Sequence, residues 1–148
     1  MILQIRPAVA SDVDETRDIL TASQGHQPWL SRLRFWQSTR SYCDMMVRRG
    51  WVKVAVNSGH ILGFLARDQQ YIHALYVARD NRGQHIGHHL LRDAQMQEVA
   101  LELCTAQSNA GAQRFYLREG FREIARSSGW QNDRQEPDIR YRWERGAL

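Results

Sequence analysis

The chain is nearly devoid of lysine: Lys53 stands alone among 20 basic residues, and the other 19 are arginine. Cysteine is also scarce. Cys43 and Cys104 lie far apart, with neither the spacing of a metal ribbon nor that of a redox pair, which excludes a disulfide framework and suits a reducing compartment. No apolar run reaches the roughly 18 residues that a membrane-spanning helix needs. Met1 to Pro7 shows no basic stretch followed by an apolar one and a cleavage site, so no signal peptide is expected. Internal repeats, linkers and low-complexity segments are missing as well. These absences predict a cytoplasmic protein without a membrane partner, folded as a single domain over residues 1–148.

A chain of 148 residues is long enough to bury roughly 68–70% of its unfolded surface in one core. Its 43% hydrophobic and 24% charged content is that of an ordinary globular domain. The formal net charge of +4 favours a polyanionic partner, either nucleic acid or a phosphate-bearing cofactor. The arginines are spread along the whole chain rather than gathered in one arm. That distribution argues against nucleic acid as the partner.

Hydropathy periodicity orders the elements. Leu3 and Ile5, stopped by Arg6-Pro7, suggest a short strand, and Ser11 with Asp14 reads as a partial capping box opening a helix. Gly25 to Pro28 breaks that helix. A second helical stretch runs from about Leu30 to Arg49, and Gly50 stops it. Trp51 to Val56 is a strand by alternation and β-branched content, Asn57-Ser58-Gly59-His60 is a turn, and Ile61 to Ala66 returns as the hairpin partner, with Tyr71 to Val77 as a third strand. From Gly87 the pattern turns helical. Leu101 to Thr105 is a strand, Asn109 opens a helix that Gly120 closes, and Phe121 to Ala125 and Ile139 to Trp143 are strands. The order β-α-α-β-β-β-α-β-α-β-β predicts a mixed α/β layer.

The most informative segment is Arg82-Gly83-Gln84-His85-Ile86-Gly87-His88-His89-Leu90-Leu91, between the strand Tyr71–Val77 and a helix. At such a turn several N–H groups lack partners and the helix dipole presents its positive end, so the segment is a candidate anion site. A second motif follows downstream: Asn109-x-x-Ala112-x-x-Phe115-Tyr116-x-x-x-Gly120-Phe121.

The element order and these two motifs resemble the GNAT superfamily of N-acetyltransferases. The order matches along essentially the whole chain, and specific residues match between about His73 and Phe121. The resemblance implies a mostly antiparallel central sheet with splayed strands 4 and 5 and helices on both faces. It also implies acetyl-CoA as co-substrate. The stretch R/Q-x-x-G-x-G/A of that family cradles the coenzyme A pyrophosphate, and Arg82, Gly83, Gln84, His85, Ile86, Gly87 and His88 occupy it here. His85 stands where the family has its first glycine, and so demands a backbone angle that a side chain tolerates. Leu75, Tyr76 and Val77 match the strand beside the pantetheine arm, whose free main-chain groups polarise the thioester carbonyl and steady the oxyanion. Asn109, Phe115 and Tyr116 match the helix that contacts the same arm. There Tyr116 is the implied proton donor to the departing thiolate, and the alternative is an aromatic packing the helix on the sheet.

An acceptor amine is an ammonium at neutral pH and must lose its proton before attack. His73, in a setting similar to the arylalkylamine branch of the family, is a candidate base through water, or else a strand histidine facing its neighbours. That branch carries a second histidine where this chain has Tyr71. His85, His88 and His89 lack the carboxylate or cysteine a metal site would add, so no metal is expected. Trp130, Asp133, Glu136 and Asp138 in the loop Ser127 to Asp138, with Trp29, Phe35, Trp36 and Tyr42, are candidates for an acceptor pocket, or plain loop and core residues.

The reading is an N-acetyltransferase that moves the acetyl group of acetyl-CoA to a primary amine by direct attack, the acceptor being a small-molecule amine or a peptide. The alternative is an acyl-CoA-binding or regulatory module without catalysis. The resemblance is compatible with a homodimer.

Overall fold

The computed structural model describes residues 2–24, 38–128 and 137–146. Seven strands form one sheet: β1 (Gln4–Pro7), β2 (Val52–Asn57), β3 (His60–Asp68), β4 (Tyr71–Val77), β5 (Ala100–Ala106), β6 (Arg122–Ser127) and β7 (Asp138–Glu144). Their spatial order is β1-β2-β3-β4-β5-β7-β6, and only β4 and β5 run parallel. Among the described residues four α-helices cover it: α1 (Val13–Gln24), α2 (Thr39–Arg48), α3 (Ile86–Gln97) and α4 (Ala110–Arg118). The expected element order and the mixed, mostly antiparallel sheet are those observed. No described helix is long and apolar enough to cross a membrane.

Alternation along the strands sends side chains to two cores, one on each face. Val52, Val54, Phe64 and Ala74 meet Leu20 of α1 and Met46 of α2 on one side. Leu65, Ile72, Leu101 and Tyr141 meet Leu90 and Leu91 of α3 and Tyr116 of α4 on the other. The β2–β3 hairpin closes through Ser58 and Gly59, both at positive φ (51° and 80°), the requirement of a tight two-residue turn whose twist matches its strands.

Two local expectations are corrected. Ser11 does not cap α1: a short 3-10 turn over Ala10–Asp12 leads into the helix, and the carboxylate of Asp12 is the organising group. It accepts from the Val9 N–H at 2.8 Å and from both terminal nitrogens of Arg6, at 2.8 and 3.1 Å. A buried carboxylate that satisfies a main-chain donor and a guanidinium at once outcompetes a serine hydroxyl. The second correction is that α2 does not run unbroken from Leu30. Ser38 is fully extended, and its hydroxyl accepts the Ser41 N–H at 3.1 Å, so the helix begins at Thr39. The residues numbered 25–37, with the expected Gly25–Pro28 break and the aromatics Trp29, Phe35 and Trp36, lie outside the described residues. So do Trp130, Asp133 and Glu136.

Candidate functional site

The site begins where the sheet comes apart. β4 and β5 share one register pair, Tyr71 with Glu102, and one further bond from the Glu102 N–H to the Gln70 carbonyl at 2.8 Å. Beyond that point the strands diverge. On its other side β4 is paired with β3 along its length apart from a register shift at His73, and the Ala78 N–H donates to the Leu62 carbonyl at 2.8 Å. Antiparallel alternation then directs Tyr76 and Ala74 at β3, leaving the main-chain groups of Leu75 and Val77 aimed into the gap toward β5.

The turn after β4 closes the mouth of that gap. Gly83 (φ 79°) and His85 (φ 65°, ψ 19°) are both left-handed, and His85 is the N-cap of α3. The first helical bond is His89 N–H to the His85 carbonyl at 3.0 Å. Upstream of it, the N–H groups of residues 83–88 have no backbone acceptor among the described residues. No described side chain caps them, and no acidic residue lies in the first turn. A row of unpaired donors at the positive end of a helix is an anion-binding site. Gly87 lets the adjacent helix close in. A Cβ there would sit 3.3 Å from Cζ of Phe115 and 3.8 Å from Cγ2 of Val77.

The far wall is α4. Asn109 caps it, its side-chain oxygen accepting the Ala112 N–H at 3.1 Å. Seven residues on, two turns along the same face, Tyr116 is 8% exposed among Phe115, Phe121 and Tyr141, with ring centroids 5.1, 5.4 and 6.2 Å away. Its hydroxyl has no hydrogen-bonding partner among the described residues. Burial, with Tyr76 nearby, pushes the phenol well above its ordinary pKa, so Tyr116 keeps its proton at any physiological pH.

Between these walls lies a cleft of about 760 Å³. It brings together Leu75, Tyr76, Val77, Arg82, Gly83, His85, Ile86, Gly87, His88, Asn109, Phe115 and Tyr116. Gln84 and His73 are not on its lining. Gln84 accepts from Asn81 at 3.4 Å. His73 sits at a register shift of β4 against β3, stacked flat on Trp51 (centroids 4.8 Å, planes 6° apart) and edge-on to Tyr71 at 4.9 Å. The cleft also takes in residues that sequence reasoning passed over: Ser23 at the end of α1, Asn81, Gly111, Arg118 and Glu119. Of these Gly111, Arg118 and Glu119 fall on the unspecified positions of the Asn109-to-Phe121 motif, and Ser23 and Asn81 lie outside both motifs. Among the described residues no group of three or more histidine, cysteine or acidic side chains could hold a metal. His88 is instead bonded to Glu119, Nδ1 to Oε1 at 2.7 Å.

Coenzyme A fits this geometry. The free donors of residues 83–88 suit a diphosphate, the apolar walls and gap-facing amides of β4 suit an extended arm, and the volume is that of a cofactor site.

Comparison with known proteins agrees. An acetyltransferase (GNAT) domain model matches residues 37–133. No curated protein matches the chain in sequence. Among solved structures, apo YjaB from Escherichia coli is similar with a TM-score of 0.73 at 24% identity, covering 99% of this chain and 100% of that one. The PaiA N-acetyltransferase from Thermoplasma acidophilum, solved with coenzyme A, gives a TM-score of 0.75 at 15% identity, covering 97% and 99%. The ribosomal-protein-S18-alanine N-acetyltransferase from Escherichia coli gives 0.73 at 18% identity, covering 99% and 96%. At these identities the likeness is one of fold.

Proposed function

The chain belongs to the acetyltransferase (GNAT) domain family, and from that premise we propose that it transfers the acetyl group of acetyl-CoA to a primary amine by direct attack. The observation that carries this reading is the uncapped turn of residues 83–88 opening onto the cleft between the diverging strands. In it the backbone N–H groups hold the diphosphate, and the gap-facing amides of Leu75 and Val77 hold the acyl arm. Acetyl-CoA supplies an activated acyl carbon when bound. Tyr116, kept protonated by burial, delivers its proton to the leaving sulfur. Neither cysteine lines the cleft, and no covalent enzyme intermediate is needed.

The proton of the incoming amine goes to His73 through water in this reading. The ring is held by Trp51 and Tyr71 rather than by the cleft wall, so the relay must include at least one solvent molecule. The same placement favours a second reading, an acyl-CoA-binding or regulatory module without turnover. Calorimetry with acetyl-CoA, paired with thiol release across a panel of small amines and peptide N-termini, separates them. Binding with release for at least one acceptor is the expected result. Binding without release across the panel selects the module, and absence of binding removes both. A cytoplasmic setting belongs to the same reading, with Cys43 and Cys104 as free thiols.

A further inference from the structure

Glu119 is out of place for a residue at the end of a helix. Its side chain is 9% exposed, it lines the cleft that is to take a polyanion, and its carboxylate bonds Nδ1 of His88 at 2.7 Å. A carboxylate removed from water needs a cationic or donating partner. The main-chain groups of Glu119 are spent elsewhere, the carbonyl on Gln95 at 3.3 Å and the N–H on Phe115 and Tyr116 at 3.0 and 3.1 Å. The pair therefore ties the first turn of α3 to the last of α4, at the edge of the free N–H row.

We infer that Glu119 is a positioning residue, orienting His88 so that the imidazolium, and not the neutral ring, is the side-chain contact of the cofactor diphosphate. This role rests on the cofactor reading above and follows from the chemistry of the ring. An ionised carboxylate only accepts, so the hydrogen on Nδ1 belongs to this bond and Nε2 is the nitrogen left for a ligand. In the neutral ring that nitrogen carries a lone pair, which repels a phosphate oxygen. In the protonated ring it carries an N–H, which bonds one. Without the second proton the ligand would also meet the uncompensated charge of Glu119. Binding of the diphosphate and uptake of one proton are thus coupled, and affinity falls as pH rises.

Other charged and titratable groups around His88 do not reproduce this arrangement. Arg118 comes from α4, with its guanidinium 6.0 Å above the Phe115 ring. Arg82 and His85 come from the turn, and Tyr76 and Tyr116 from the cleft walls. His89, edge-on to His88 at 5.5 Å, and Arg92 one turn along belong to α3. A guanidinium has no neutral form to offer in this range, and Tyr116, its phenol raised by burial, stays protonated. His85 and His89 lack a carboxylate partner among the described residues.

The probe is acetyl-3′-dephospho-coenzyme A, which keeps the diphosphate and lacks the phosphomonoester that would itself titrate near neutrality. Calorimetry of the full chain at pH 7.5 in buffers of different ionisation enthalpy counts the protons taken up. Wild type is expected to take up a substantial fraction of one proton, its log Kd rising with a slope approaching 1 per pH unit. His88→Gln is expected to bind with no proton uptake and a flat pH profile. Glu119→Gln keeps the shape of the pair without the charge, and its profile is expected to move to lower pH. Tight binding by wild type with no uptake, or the same uptake in His88→Gln, overturns the role of the pair alone. No binding at any pH overturns the cofactor reading and this inference with it.

Discussion

Replacing His85 tests the turn on which everything else depends. At φ 65° and ψ 19° it occupies the left-handed region, its side chain exposed and making no hydrogen bond to a described residue. For an L-residue this conformation costs about 1–2 kcal/mol, and histidine tolerates it better than most. Glycine removes that cost but gives back about 0.5–1 kcal/mol through the freedom of the unfolded chain. His85→Gly should therefore change stability by no more than about 0.5 kcal/mol, in the stabilising direction. His85→Val puts a branched side chain at the same angle and should lose about 2 kcal/mol, which for a chain of this size lowers Tm by roughly 4–8 °C. Urea and thermal unfolding of the three proteins measure the series directly. Because the anion site is built from N–H groups, acetyl-CoA affinity should survive His85→Gly unchanged. A glycine variant less stable than wild type by more than about 1 kcal/mol, or a valine variant as stable as wild type, would falsify this account of the turn.

Tyr116→Phe should leave stability within about 0.5 kcal/mol, since the lost hydroxyl has no hydrogen-bonding partner among the described residues, while lowering kcat by about 10²-fold or more at unchanged acetyl-CoA affinity. Equal turnover in steady-state assays would remove Tyr116 from the chemistry. Gly63→Ala places a Cβ 2.8 Å from the Tyr76 carbonyl oxygen and 3.3 Å from Cα of Val77, both backbone, so β3 and β4 must shift. A loss of about 1–3 kcal/mol in urea unfolding, with weaker acetyl-CoA binding, is expected. Asp12 is held below the ordinary carboxylate pKa, first by its bond to Arg6 and also by that to Val9 N–H. Its stabilisation is thus complete above about pH 4 and fades as pH falls through the lowered folded value. Asp12→Asn should lose about 2–3 kcal/mol at pH 7, the partly exposed Arg6 lowering the figure usual for a buried pair, and the gap to wild type should close on acidification. Urea midpoints at pH 7 and pH 3 provide the check.

Much of the fold is legible because periodicity is local. Trp51 to Val56 announces its strand by alternation and Ile61 to Ala66 follows as its hairpin partner, while Gly50 and Gly120 end helices at the positive φ that their positions predict. The strand order is not legible. That β7 inserts between β5 and β6 depends on pairs such as Thr105 with Ile139, remote in sequence and chemically unremarkable. The turn at residues 82–88 can be read from its glycines and its place after a strand. The gap-facing amides of Leu75 and Val77 leave no trace in residue type. The role of Glu119 is not legible in the sequence because an acidic residue near a helix end usually faces water, and only the packing of α3 against α4 buries it. For His73 the strand was legible, but not the register shift that seats its ring between Trp51 and Tyr71.

The single register pair between β4 and β5 has a mechanical meaning. Each side of the sheet, β1 to β4 and β5 with β7 and β6, is laced internally, yet the two leaves are stitched together at one end only. An unpaired strand edge ordinarily invites aggregation, and this sheet turns two such edges toward each other inside the molecule. The interior wedge so formed is self-shielding, because whatever would pair with one edge must first pass the other. A guest of strand-like width then completes the sheet rather than resting upon it. Loading the wedge should couple the two leaves in a way their one stitch cannot.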